Sequence, residues 1–305
     1  MGGDYAPVTT VAGAILAYEQ LPSDAELVLI GNKALIEEEC AKYSFDPSRF
    51  AIRHTTEVIG MGDHPAKAFF QKPDSSISVG FKMLVSKEID GFASAGSTGA
   101  MMVGAVQIIK PIPGIIRPCI MSNIPRPDGN FGVLVDVGLN SDCKPEVLCQ
   151  YGLLGSLYAK HVFNIANPKV ALLNIGAEDE KGNLLTKATF QMMSSGNNLN
   201  FIGNIEGDQI FGGQADVIVC DGFVGNVVLK EAEGLYRTIR NRNISDDYFE
   251  RFNYENYGGT PVLGIDANVV VGHGISNEKA IKTMILQTGN FIRAGLPDRI
   301  EKLFK

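Results

Sequence analysis

Five stretches of this chain read as strands with almost no polar interruption, and that continuity limits its fold more than any other feature. They are "AELVLIG" (25–31), "FGVLVDVG" (131–138), "PKVALLNIG" (168–176), "ADVIVCDG" (215–222) and "NVVVGHG" (268–274); "DGFASA" (90–95) is a sixth, less apolar candidate. A strand with one wet face alternates apolar and polar residues, whereas a run apolar at nearly every position is buried on both faces. Segments with helical spacing alternate with these runs: 32–43, a stretch through "TGAMMVGAVQII" that Pro111 stops, 145–161, 224–240 and 277–295. Helices then cover both faces of a largely parallel sheet, which is a three-layer α/β/α fold. The turn-like "PDGNFG" (127–132) predicts that part of the sheet is antiparallel. No repeat, low-complexity tract or linker divides the 305 residues, so one α/β domain over 1–305 is expected.

Composition narrows the function classes. The net charge of −7 argues against nucleic-acid binding, which needs a broad basic surface. The five cysteines (Cys40, Cys119, Cys143, Cys149 and Cys220) form no C-x-x-C pair and read as reduced thiols. With only four dispersed histidines (His54, His64, His161 and His273), no metal site and no cofactor are expected. No apolar run reaches the ~18 residues of a membrane span, and "MGGDYAP" lacks the features of a signal peptide. A cytoplasmic protein is expected.

The strands end in glycine-rich polar loops: "SAGSTGA", "DVGLN", "LNIGAEDEKGN", "CDGFVGN" and "VGHGISN". In open parallel sheets, ligands bind beyond the carboxyl ends of the strands. The chain has no P-loop, no dinucleotide fingerprint, no H-E-x-x-H and no G-x-S-x-G. Chemistry here should therefore rest on positioning, hydrogen-bond donors and local charge. Gly96, Ser97, Thr98 and Gly99 lead from a strand into a helix, whose first-turn N–H groups and hydroxyls suit an anion such as phosphate. The competing reading is that Ser97 or Thr98 only caps the helix.

Eight motifs break that tie: "MGGDYAP" (1–7), "SAGSTGA" (94–100), "GIIRP" (114–118), "LVDVGLNSD" (134–142), "LLNIGAEDEKGN" (172–183), "CDGFVGNVVLK" (220–230), "YGGTPVLGI" (257–265) and "GHGIS" (272–276). In that order, over nearly the whole chain, they resemble the bacterial phosphate acyltransferases of phospholipid synthesis. The resemblance implies a Rossmann-like fold of the phosphotransacetylase or isopropylmalate-dehydrogenase kind and a homodimer. It also implies transfer of a fatty acyl group from acyl carrier protein to inorganic phosphate, giving acyl phosphate, with possible peripheral membrane contact. Three departures stand out. Ser97 replaces the family's usual Asn, the family's short apolar strand before Met-Gly-Gly-Asp does not precede the motif, and 231–256 is shorter than the corresponding stretch.

The resemblance raises particular residues. Lys181 and Asn226 are the catalytic candidates, Lys181 to neutralise phosphate or polarise the carbonyl and Asn226, opening a helix, to donate its amide. A solvated loop lysine and a helix cap are their ordinary alternatives. Asn140, Asn174, Asp221, His273 and Asp4 are candidates to complete the phosphate or substrate site, each equally able to be structural. Arg237 and Arg240, on one helical face, are candidates to dock the acidic carrier. Cys220 beside Asp221 is a weaker rival nucleophile in an apolar setting. Alternative functions are a phosphotransacetylase using acyl-CoA, a nicotinamide-dependent hydroxyacid dehydrogenase, and a non-catalytic acyl- or phosphate-binding regulator.

Overall fold

The computed structural model describes residues 2–305, so Met1 of the first motif lies outside the described residues. In chain order the first elements are α1 (Val8–Tyr18), β1 (Val28–Gly31), α2 (Lys33–Lys42), β2 (Ala51–His54), α3 (Pro65–Gln71), α4 (Ser76–Val85), β3 (Gly91–Ser94) and α5 (Thr98–Val103). A π turn over Gly104–Ile109 follows α5. The middle of the chain forms β4 (Cys119–Pro125), β5 (Phe131–Val135), α6 (Pro145–Val162), β6 (Lys169–Leu173), α7 (Leu184–Ser195), β7 (Asn200–Ile205) and β8 (Val217–Val219). The last elements are α8 (Gly222–Asn241), α9 (Asp247–Glu250), β9 (Thr260–Leu263), β10 (Asn268–Val271), α10 (Glu278–Ala294) and α11 (Leu296–Phe304). Among the described residues no helix is long and apolar enough to cross a membrane.

The chain forms two compact units. The first runs to Lys110 and resumes over Tyr254–Gly295. In it β1 pairs in parallel with β2, and β10 pairs in parallel with β3 and antiparallel with β9. Successive residues of β3 face opposite helices. A Cβ on Gly80 of α4 would stop 2.4 Å from the Phe92 ring, and one on Gly91 would stop 2.8 Å from Ile292 of α10. Val11, Ala14, Leu29, Ile36, Cys40 and Phe50 close a core between α1, α2 and the β1–β2 pair. A cavity of about 540 Å³ lies between β1 and β3, walled by Leu27 to Ile30 and Gly91 to Ala95 and floored by Ile281 and Ile285 of α10.

The second unit holds Pro111–Asn253 and Leu296–Lys305. Its sheet runs β4-β5-β8-β6-β7, antiparallel at β4–β5 and parallel throughout the rest. The antiparallel pair is the hairpin expected at 127–132, with Pro125 opposite Phe131. Period-two alternation puts helices on both faces. Leu134, Ile218 and Ala171 point to the side where Val228 and Leu229 of α8 pack. Val133, Val135 and Val217 point to α6, so closely that a Cβ on Gly155 would reach within 2.5 Å of Val217. Each fully buried aliphatic side chain contributes about 1.5–3 kcal/mol, and both faces of every central strand supply them. The three-layer, largely parallel α/β arrangement is therefore present and explains the apolar runs. Arg126, at the foot of the hairpin, forms an ion pair with Asp216, whose other oxygen accepts from the Lys169 N–H at 2.7 Å.

Candidate active site

In the first unit, three of the motifs meet at one strand end. β3 and β10 finish side by side, and the Gly272 N–H donates to the Ser94 carbonyl at 2.9 Å. Residues 2–4 lie across both ends. A Cβ on Gly2 would come within 2.7 Å of Gly96, Gly3 adopts φ +112° beside the Gly274 carbonyl, and the Asp4 N–H donates to that carbonyl at 2.7 Å. Only glycine accepts the first contact without displacing the turn, and glycine tolerates the second backbone conformation at little cost. The Asp4 carboxylate is exposed there. His273 is half-buried, its ring edge-on to Tyr254 with centroids 5.2 Å apart.

The Gly96 to Gly99 turn is more committed to packing than its sequence suggests. Ser97 is buried and is the N-cap of α5, accepting from the Ala100 N–H at 3.4 Å. The Gly96 N–H goes to Ser94 Oγ at 3.1 Å. Gly99 leaves room for Pro65, whose Cγ lies 2.4 Å from where a Cβ would stand. Thr98 alone of the four is exposed. The amides of Thr98 and Gly99 precede the first intrahelical bond, so they are the donors an anion would meet.

In the second unit, three other motifs converge beyond β5 and β8. Asp136 follows the last residue of β5, with its side chain fully buried. Its Oδ1 accepts from the N–H groups of Ile120 (3.2 Å), Gly138 (3.3 Å) and Leu139 (3.2 Å). Its Oδ2 accepts from the Asn140 N–H (2.7 Å) and from Asn140 Nδ2 (3.2 Å). Burial pushes this carboxyl above its ordinary pKa, and the N–H donors hold it back. The second Nδ2 bond of Asn140 goes to the Pro118 carbonyl at 2.8 Å, so that amide braces the loop. Arg117, next in the "GIIRP" motif, donates to the Asp142 carbonyl at 2.8 Å and is exposed.

Asp221 is the N-cap of α8, accepting from the Val224 N–H at 2.9 Å. The sequence places Asn226 at the opening of a helix, with capping as its alternative role. In the fold α8 begins earlier, at Gly222, so Asn226 sits in the second turn and does not cap. Two glycines in the first turn hide the true start. Asn226 is exposed and donates one Nδ2 hydrogen to the Val137 carbonyl at 3.2 Å.

The loop after β6 carries Asn174 and Lys181. Asn174 is buried, donates Nδ2 to the Lys181 carbonyl at 3.1 Å and accepts from the Ile175 N–H at 2.9 Å, which shapes the loop. The Lys181 ammonium is exposed, with Glu178 4.0 Å away. β6 and β8 are parallel neighbours, so this loop and the one before α8 leave the same edge of the sheet. Arg237 and Arg240 are further along α8; at ~1.5 Å per residue Arg237 is roughly 16 Å from Asn226. Arg240 pairs with Glu250 at 2.7 Å, and Arg237 has no ion pair among the described residues.

Cys220 is a core residue. It is 4% exposed, burial pushes its thiol well above the ordinary value, and its sulfur faces the Asp136 carbonyl at 3.6 Å. All five cysteines are free. Neither Asp136 nor Arg117 stands out in the sequence, although both lie within the eight motifs. Asp136 reads as the last residue of an apolar strand, and nothing in its spacing reveals how many amides converge on it.

Solved structures share this fold. A phosphotransacetylase from Streptococcus pyogenes superposes with a TM-score of 0.67 at 19% identity, covering 93% of this chain and 90% of that one. A 4-hydroxythreonine-4-phosphate dehydrogenase from Salmonella typhimurium gives 0.57 at 13% identity, covering 92% and 94%. They place the protein in a class of α/β folds and no more. Sequence carries the assignment further. The model of the family described as "Fatty acid synthesis protein" matches residues 1–249. The phosphate acyltransferase of Dictyoglomus turgidum is 41% identical over 304 residues, 93% of this chain and 90% of that protein. That of Syntrophomonas wolfei is 43% identical over 288 residues, 92% and 89%. The chain belongs to the phosphate acyltransferase family, and it is an acyltransferase.

Proposed function

We propose that the protein transfers a fatty acyl group from acyl carrier protein to inorganic phosphate, supplying acyl phosphate for phospholipid synthesis. The observation that carries this reading is the pairing of a family match over 1–249 with an exposed amide donor, Asn226, anchored by the Val137 carbonyl at 3.2 Å. A phosphate oxygen attacks the thioester carbonyl carbon; the C–O bond forms as the C–S bond breaks. The proton carried by hydrogen phosphate ends on the carrier thiol. A thioester is already activated, so no covalent enzyme intermediate is required. Asn226 donates its remaining amide hydrogen to the developing oxyanion, and Lys181 balances phosphate charge. A positioned oxyanion donor contributes roughly 10²–10³ in kcat.

Asp4, Asn140, Asn174, Asp221 and His273 enter this reading mainly as groups that hold the loops. Thr98 and the amides of Thr98 and Gly99 are the anion-facing part of the turn after β3. Arg237 and Arg240 dock the carrier. In the same reading the enzyme is cytoplasmic and dimeric, with peripheral membrane contact; Phe223, Val227 and Leu235, exposed on α8, support an apolar contact surface.

The test is thiol release from a long-chain acyl carrier, with and without phosphate, by the wild type and Asn226→Ala. Phosphate-dependent release, faster than with acyl-CoA and reduced roughly 10²–10³-fold by the substitution, is expected. Release without phosphate would make the protein a thioesterase, and preference for acyl-CoA would make it a phosphotransacetylase.

A further inference from the structure

We infer that Asp136 is a positioning residue for acyl transfer: its carboxylate folds residues 136–140 into a turn that sets the place of the Asn226 amide. This inference rests on the role given above to Asn226. The carboxylate is fully buried, and among the described residues no cation pairs with it; every partner there is an N–H of Ile120, Gly138, Leu139 or Asn140. A buried charge is held only where hydrogen bonds replace its water, so the donors and the carboxylate fix one another.

The turn grips α8 at three places. The Val137 carbonyl holds Asn226 Nδ2 at 3.2 Å, and the Asn140 carbonyl accepts from the Gly222 N–H, the first residue of the helix, at 2.7 Å. The Asp136 carbonyl lies so near Gly225 that a Cβ there would stop 1.8 Å away. On the turn itself Gly138, at φ +138°, passes close beneath Asn226; a Cβ at that position would stand 2.9 Å from Nδ2. Asp136 thus acts on Asn226 through Val137, and touches no reacting atom.

Asparagine at 136 keeps the shape but offers one acceptor oxygen and turns an NH₂ toward N–H groups. Either the Asn140 pair of donors or the trio of Ile120, Gly138 and Leu139 then loses its acceptor. A displacement near 1 Å is enough to cost about 10²-fold in rate.

The experiment is a double-mutant cycle on the full chain, reading phosphate-dependent thiol release from acyl carrier well below the unfolding temperature. Asp136→Asn is expected to lower kcat by about 10–100-fold with a smaller change in KM for phosphate. In the Asn226→Ala background the same substitution is expected to cost less than about twofold, because the residue it acts through is gone. An equal loss in both backgrounds overturns the role. Full activity of Asp136→Asn, with Asn226→Ala impaired, overturns it while leaving Asn226 in place. Unchanged activity of Asn226→Ala overturns the reading of Asn226 itself. If Asp136→Asn does not fold, Asn140→Ala, which removes the Nδ2 donor from the same carboxylate, is carried through the same cycle with the same criteria.

Discussion

The carbonyl oxygen of Asp136 occupies the space in which Gly225 would carry a side chain, 1.8 Å from an ideal Cβ. Both partners are backbone, so neither can swing aside. Gly225→Ala should push the start of α8 off the turn and destabilise the protein by about 3 kcal/mol or more, as overpacking of a well-filled core does. Denaturant midpoints for Gly225→Ala and for Gly234→Ala on the same helix make the comparison; no backbone crowds Gly234. Equal midpoints would show that the contact is soft.

Asp221 accepts from the Val224 N–H and so satisfies one of the free amides at the start of α8. Its replacement by alanine should cost about 1 kcal/mol, and replacement by serine or asparagine should restore most of it. Thermal unfolding of the three variants checks this, and a silent alanine would mean that the cap is not needed.

Cys143 and Cys149 are partly exposed, yet burial pushes both thiols up to about 11. The thiolate is the nucleophile, so at pH 8 alkylation should run about 100-fold slower than for an ordinary cysteine. The sign is fixed by the upward shift: rates should rise about tenfold per pH unit from 8 and level off only near 11. Iodoacetamide labelling followed by peptide mass analysis gives the profile, and a plateau near pH 9 would contradict it.

Arg237 and Arg240 are neighbours on α8 but differ in what they already hold, since only Arg240 pairs with Glu250. Arg237→Glu should raise KM for the acyl carrier by at least about fivefold and leave stability unchanged, because a rim charge acts on encounter. Arg240→Glu should do the same and also loosen α9, where Glu250 sits. Steady-state kinetics over a carrier titration decides the matter; an unchanged KM in both variants removes this surface from docking.

Much of this protein could be read before its fold was seen. "FGVLVDVG" is apolar at nearly every position because Leu134 faces the α8 side of the sheet and Val133 and Val135 face α6. Where strands were missed, the residues explain it. β4 carries Ser122, Asn123 and Pro125, and β9 carries Pro261, so neither shows an unbroken run. The site was legible as loops and much less so as roles. Asn140, Asn174 and Ser97 are polar residues on the strand-end loops, but their side chains are tied to backbone within a few ångströms. Sequence shows which residues can donate or accept; only the path of the chain shows which partners have already claimed them.

The packing of Gly2 against Gly96 has a practical side. A side chain at position 2 would have no clearance, since its Cβ would sit 2.7 Å from the backbone of the turn, and any substitution there would press on Gly96.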